Sequence, residues 1–309
     1  MALHFSDGRF QSRFFRTAQT MLEHEDSAYY ALVEDAANHI NPEHLVTFGM
    51  NLGYNSCTWG AQHIRANEAQ LGFNIPWTVL FLMEEPHCSR HLPQYGHAVS
   101  EGEELGIYSW ILLSHGNLLE LLPLIERHPD SAFFLFCRPE DISPAVLDEI
   151  TPLRHLMLVV RWGDQADEAC AMLRNARLPY SVYYPYSPDD LPFIRSGDLF
   201  CDTQQLHPLF TALAAKPGCP SEIQRQAHQA AEELRNGQNY KTVPWELCYD
   251  TRSLDEIISD DACCVLFDGQ GQLIALDNPG CAPFGCLFEE GLTSLIRRAY
   301  PKSPPASSL

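Results

Sequence analysis

The chain has 309 residues, with 40 Asp and Glu against 20 Lys and Arg, and a formal net charge of -20. Hydrophobic residues make up 45% and charged residues only 19%, which excludes a disordered chain. The acidity excludes a general nucleic-acid or anionic-membrane binder, because phosphates are met by clustered Lys and Arg. Lysine occurs only at Lys216, Lys241 and Lys302.

No apolar run approaches the roughly 18 residues of a membrane-spanning helix. The opening MALHFSDGRFQSRFF lacks an apolar signal core. Eleven cysteines, an odd number without a signal, point to reduced thiols in the cytoplasm. Arg9, Arg13 and Arg16 lie among phenylalanines, but Glu23, Glu25 and Asp26 follow at once, so a peripheral helix is expected there.

Residues 1–43 read as two helical segments, the second from an N-capping Ser27 to about Ile40. From residue 44 short apolar runs alternate with helical stretches. The expected strands are 45–52, 77–83, 107–113, 132–137, 156–162 and 180–184. The expected helices are 60–71, 92–105, 117–127, 143–150 and 165–176, the last with Ala166, Ala169, Cys170 and Leu173 on one stripe. Continuous rather than alternating apolar strands indicate a buried parallel sheet. Six such units suit an open partial (β/α)6 TIM-like barrel better than a closed eightfold one. Beyond it, helices are expected at 204–215 and at 221–236 with Ser221 as N-cap. A hairpin over 263–276 turning at Asp268-Gly269 and a helix over 287–299 follow. The expected domains are a helical segment 1–43, the partial barrel 44–198, a C-terminal α+β region 199–300 and a disordered tail 301–309.

Four landmarks stand in order along this pattern. They are NLGYNSC (51–57), MEEP (83–86), LSHGN (113–117), and LFDGQGQLIAL followed by PFGCLFEEGLTSLIRR. In this the chain resembles a radical S-adenosylmethionine (SAM) protein with a SPASM-like C-terminal region. The resemblance implies a cluster loop after the first strand, a Gly-Gly-Glu-Pro motif after the second and Thr-Asn-Gly after the third. The cluster of that family needs three thiolates, spaced Cys-x3-Cys-x2-Cys. Here Cys57 stands first, but the next two positions are Ala61 and Ile64, and only His63 nearby could substitute. Met83 and Glu84 replace the two glycines that let SAM approach the backbone. The C-terminal cysteines Cys263, Cys264, Cys281 and Cys286 depart from the auxiliary-cluster pattern. The expectation is a degenerate scaffold, with SAM and [4Fe–4S] disfavoured and no cofactor required.

The residues leave other chemistry open. Glu85, His87, Cys88 and His91 crowd the end of the 77–83 strand, with His97 further on, while Cys57 and His115 end the expected neighbouring strands. Active sites of β/α barrels cluster at that end. His87, Cys88, His91 and His115 are of the type that holds Zn²⁺, which would activate water; the other reading is a polar rim. Arg138 and Arg161, at two further strand ends, suit an anionic ligand or pair with Glu140, Asp141 or Asp164. Tyr183, Tyr184 and Tyr186 read as packing residues, as do Cys170 and Cys248. Cys201 and Cys219 lack metal spacing, and a C-terminal zinc among Cys263, Cys264, Cys281 and Cys286 is the weaker metal reading.

The first expectation is therefore a non-catalytic binding or regulatory protein with Cys57, Glu85, His115, Arg138 and Arg161 at the barrel mouth. The alternatives are a zinc-dependent enzyme at the His/Cys cluster, and a radical SAM enzyme with Cys57, His63 and Cys88 as unorthodox ligands. The expected partner is a protein or small molecule, not nucleic acid or membrane, with a homodimer through the N-terminal or 221–236 helix as a further option.

Overall fold

The computed structural model describes residues 23–114, 116, 118–259, 263–275 and 283–302. The expected first N-terminal helix, His115, Cys281 and most of the expected tail lie outside the described residues. Among the described residues no helix is long and apolar enough to cross a membrane.

Helix α1 (Ala28–His39) begins as expected, with Ser27 Oγ accepting a hydrogen bond from the Tyr29 N–H at 3.2 Å. The next element corrects the sequence reading. Residues 45–52 form no strand: α2 (Pro42–Met50) runs into a π-helical stretch, Asn51–Gly60, and then α3 (Ala61–Leu71). The reason is period. His44, Phe48 and Asn51 are buried, whereas Leu45, Val46 and Met50 are exposed, so burial follows helical spacing. Buried Asn51 fixes this face by donating to the carbonyls of Pro129 at 2.7 Å and Ser131 at 2.9 Å.

The following strands match their apolar runs. These are β1 (Thr78–Met83), β2 (Ser109–Ser114), β3 (Ala132–Cys137), β4 (Leu156–Arg161) and β5 (Tyr180–Tyr186). Between them lie α4 (His87–Leu105), α5 (Leu118–Glu126), α6 (Pro144–Ile150) and α7 (Ala166–Asn175). The α7 stripe Ala166, Ala169, Cys170 and Leu173 is buried as its spacing predicts.

Past β5 the order is α8 (Leu191–Arg195), α9 (Asp198–Thr203), β6 (Phe210–Ala215), α10 (Ser221–Gly237), β7 (Val243–Glu246) and α11 (Leu247–Ile258). The expected helix 204–215 is thus corrected. FTALAA is alanine-rich, but it pairs in parallel with β5 and β7, and sheet pairing overrides propensity. Ser221 is the first helical residue rather than the cap, which falls on Pro220. The chain closes with β8 (Val265–Phe267), β9 (Leu273–Ala275) and α12 (Leu292–Ala299).

The strands hydrogen-bond in the order β7-β6-β5-β4-β3-β2-β1-β8-β9. The expected C-terminal hairpin is present, and its first strand joins the main sheet: β8 runs parallel to β1 with Val79 opposite Val265 and Phe81 opposite Phe267. β9 returns antiparallel to β8.

Two compact units divide the chain. One holds the described residues of Gly49–Phe133 and those from Arg252 on. Its centre is aromatic: Phe81 stacks on Trp110 at 5.8 Å and meets Tyr95 at 5.1 Å and Phe267 at 5.5 Å. Gly102 of α4 makes room for the Trp110 ring, which any Cβ there would strike. The other unit holds Phe134–Thr251 with the described residues before Gly49. There Tyr186, Leu191, Ile194, Phe200 and Leu213 pack against the small face Ala227, Ala230 and Ala231 of α10. Small residues let this helix sit close to the strands.

Candidate functional site

The candidate site grows from the carboxyl end of β1, where ligands gather in parallel β/α folds. Met83 ends the strand with its side chain fully buried. Glu84 then accepts the Cys88 N–H at 2.9 Å through its backbone carbonyl, which starts α4 five residues earlier than the sequence predicts. His87, Cys88 and His91 therefore lie in the first turns of a helix rather than in a loop. Helical spacing of four stacks the His87 and His91 rings 6.3 Å apart, within 12° of parallel, while Cys88 turns into the core. The backbone breaks from helical geometry at His91, with φ -114 and ψ 16. Pro93, two residues on, has no N–H to continue the ladder and crowds the preceding turn. Glu85 is exposed and accepts the Ser89 hydroxyl at 2.6 Å.

Phe288 completes the arrangement from the C-terminal segment. Its ring lies 3.9 Å from that of His91 and within 7° of parallel, and Tyr95 meets it edge-on at 5.5 Å. The hairpin turn shapes its seat. Asp268 Oδ1 accepts the N–H groups of Gln270 and Gln272, both at 2.9 Å, which tightens the turn. Gly271 then adopts φ +74, and a Cβ there would fall 2.7 Å from the Phe288 ring.

Three polar atoms here are sealed from solvent and have no hydrogen-bond partner among the described residues: His91 Nδ1, Gln94 Oε1 and the Tyr95 hydroxyl. They come from one turn of α4, at positions i, i+3 and i+4. A buried polar group left unpaired costs about 1–3 kcal/mol. Burial first, and then Cys88, Asp268, Cys286 and Glu84, push the Tyr95 phenol far up, so it stays a neutral donor. Next to the ring a groove of about 370 Å³ opens between Pro93–Glu101 and Leu287–Leu292.

The remaining expected site residues do not join this place. Cys57 lies in the π-helical stretch, 7% exposed, in line with buried Ala61 and Ile64. Burial pushes its thiol up to about 12. His63 hydrogen-bonds through Nδ1 to the Trp59 carbonyl at 2.9 Å on the exposed side of α3. Arg138 pairs with Asp141 at 2.9 Å and Glu140 at 3.4 Å. Arg161 ends β4, exposed and opposite Tyr183. Among the described residues no group of three His, Cys, Asp or Glu is placed to hold a metal ion.

The other unit carries a site that the sequence reading missed. Glu246, at the carboxyl end of β7, is fully buried. Its Oε1 accepts the Tyr186 hydroxyl at 2.9 Å and its Oε2 the Tyr249 N–H at 2.7 Å. Burial nevertheless raises its carboxyl to about 7. Asp250 beside it is held by Arg235 at 2.8 and 2.9 Å.

No protein-family model matches the chain, and no curated protein matches it in sequence. Solved structures do match. SuiB of Streptococcus suis aligns with a TM-score of 0.54 at 8% identity, over 76% of this chain and 68% of SuiB. The same protein bound to S-adenosylmethionine gives 0.51 at 10% identity, over 76% of this chain and 66% of SuiB. The fold is radical-SAM-like. It is the partial TIM-like barrel expected from the order of the landmarks, and at such identity the likeness concerns fold alone. The chain spans about two thirds of SuiB.

Proposed function

We propose that the chain is a binding or regulatory protein on a radical-SAM-like scaffold that works without an iron–sulfur cluster. The observation that carries this reading is the line Cys57, Ala61 and Ile64. The spacing that wraps a cluster in a loop is here a stripe of buried positions in continuous helical structure. A three-thiolate cluster needs three sulfurs facing one open space. One thiol and two aliphatic side chains in the core do not fit it. The raised Cys57 pKa also keeps that thiol protonated near neutral pH, whereas the thiolate is the ligand.

The ligand of this reading enters at the carboxyl end of β1, in the groove between Pro93–Glu101 and Leu287–Leu292. The expected setting is the reducing cytoplasm, and with a net charge of -20 neither nucleic acid nor an anionic membrane is the partner. SuiB, a fold neighbour, has been crystallised with S-adenosylmethionine, so the test includes that molecule. The full chain is reconstituted anaerobically with iron and sulfide, then given SAM. The expected result is no stoichiometric cluster absorbance, no SAM cleavage, and the same iron content for Cys57→Ser. A full complement of cluster iron that cleaves SAM overturns the reading.

A further inference from the structure

The π-helical stretch Asn51–Gly60 brings together side chains that an α-helix of the same sequence would part. Bonds of the i→i+5 type wind about 4.4 residues into each turn, against about 3.6 in an α-helix. Here the Thr58 hydroxyl donates to the Gly53 carbonyl at 3.0 Å, and the Ala61 N–H reaches that of Ser56, both five residues back. Met50, Tyr54 and Trp59, spaced by four and five, therefore fall on one face. Winding of the α type would send Trp59 to the side opposite Met50. All three are exposed, at 52%, 52% and 39%. The Trp59 ring is held against His63, with ring centres 3.9 Å apart. Among the described residues of this unit, the one other exposed large hydrophobic is Leu119. A Cβ on Gly49 or Gly53 would meet nothing within 4 Å, so each glycine leaves an open notch beside these side chains. From Leu45 to Ile64 the sequence holds no Asp, Glu, Lys or Arg, in a chain where 19% of residues are charged.

We propose that this face joins two copies of the chain, in an antiparallel pair of π-helical stretches related by a two-fold axis. Charge and shape both select a second copy. Each copy carries a net charge of -20, so copies repel wherever their acidic surfaces meet. The uncharged stretch is where they approach without that repulsion. Along it, notches at Gly49 and Gly53 alternate with knobs at Met50 and Tyr54, both repeating every four residues. In the antiparallel pair Tyr54 sits over Gly49 of the second copy and Met50 over its Gly53, and the two-fold axis repeats each contact. A surface that fits itself in this way is what an isologous interface requires. The three exposed side chains offer roughly 300 Å² of apolar surface, the core of a small interface burying at most about 600 Å² per partner. The expected dimer is therefore a weak one, forming at micromolar concentration.

The proposal stands apart from the cluster question, which reconstitution decides. The full chain is followed by sedimentation velocity from low to high micromolar concentration. The expected result is a reversible monomer–dimer equilibrium that tightens with salt, because salt screens the repulsion between the copies. Tyr54→Glu should weaken the dimer at least about tenfold. Gly53→Ala should weaken it several-fold while the dilute monomer keeps or gains stability in urea, because alanine favours the helix and its methyl meets nothing within the copy. A folding defect would lower both together. A monomer at every concentration, a dimer that Tyr54→Glu and Gly53→Ala leave intact, or a dimer that salt weakens overturns the proposal. A dimer that appears only after residues 1–22 are removed overturns it too, and gives the face to that segment. Binding to phosphatidylcholine vesicles that Tyr54→Glu abolishes, with the free chain monomeric, overturns it in favour of lipid.

Discussion

The ends of β1 and β7 handle buried polar groups in opposite ways. At β7 the chain supplies its own partners: each carboxylate oxygen of Glu246 has a donor, and Asp250 holds Arg235 in a two-pronged pair. At β1 one helical turn leaves three polar atoms unpaired beside an open groove. A satisfied network fixes a structure, whereas buried donors and acceptors left unpaired carry a standing cost. The carboxyl with the raised pKa therefore belongs to the structural end, and the binding end is recognised by geometry instead.

The largest expected effect would break the β7 side of this contrast. Arg235→Leu removes the two-pronged partner of buried Asp250, leaving it the Glu246 N–H at 2.7 Å and the His228 ring at 3.5 Å, and should cost about 3 kcal/mol in urea unfolding. Next is packing on the other side. Gly102→Ala drives a methyl into Trp110 and should cost about 1–3 kcal/mol, read as a lowered urea midpoint. Glu246 gives a pH signature of similar size. Its carboxyl titrates at about 7 in the folded chain against an ordinary 4.5, so folding favours the protonated form. That stabilisation is complete below about 4.5 and is lost as pH rises through about 7. Glu246→Gln should flatten the decline, raising stability at pH 8 relative to the parent by about 2 kcal/mol while changing little at pH 4. Phe288→Leu should cost about 1 kcal/mol, read as a lowered urea midpoint, because the ring stacks on His91 and meets Tyr95 edge-on. Arg138→Ala is the smallest, under about 1 kcal/mol, because the guanidinium is 42% exposed and Asp141 keeps the backbone N–H of residue 138 as a partner. A large loss there would show that the Asp141 pair holds the end of β3.

The strands of the sheet that were legible share one property. WTVLFLM, AFFLFC and LMLVVRW are buried on both faces, so composition alone reveals them. LVTFGMNL has the same composition, but its buried members are Phe48 and Asn51 while Val46 and Met50 face out, and no count of apolar residues separates the two cases. FTALAA looks helical by its alanines and becomes a strand through pairing with β5 and β7. VPWE was invisible for a different reason. It is a four-residue edge strand carrying Pro244, and edges are where a sheet tolerates proline. At the candidate site His87, Cys88 and His91 were legible as polar residues after a strand, but their roles were not, because the helix begins with them. Starting α4 at His87 would have brought Gln94 and Tyr95 onto the face of His91 by spacing alone. Phe288 comes from almost two hundred residues away, and nothing in its local sequence announces the contact.

The parallel pairing of β8 with β1 has a consequence for the order of assembly. During synthesis β1 and β2 emerge together, yet the far edge of β1 waits for a strand almost two hundred residues later in the chain. Until then Val79, Leu80 and Phe81 present open backbone donors and acceptors, the kind of template on which a second nascent chain can add. Pairing of such sequence separation forms slowly. Chains truncated ahead of Val265 should aggregate more readily than the full chain, which light scattering during refolding checks.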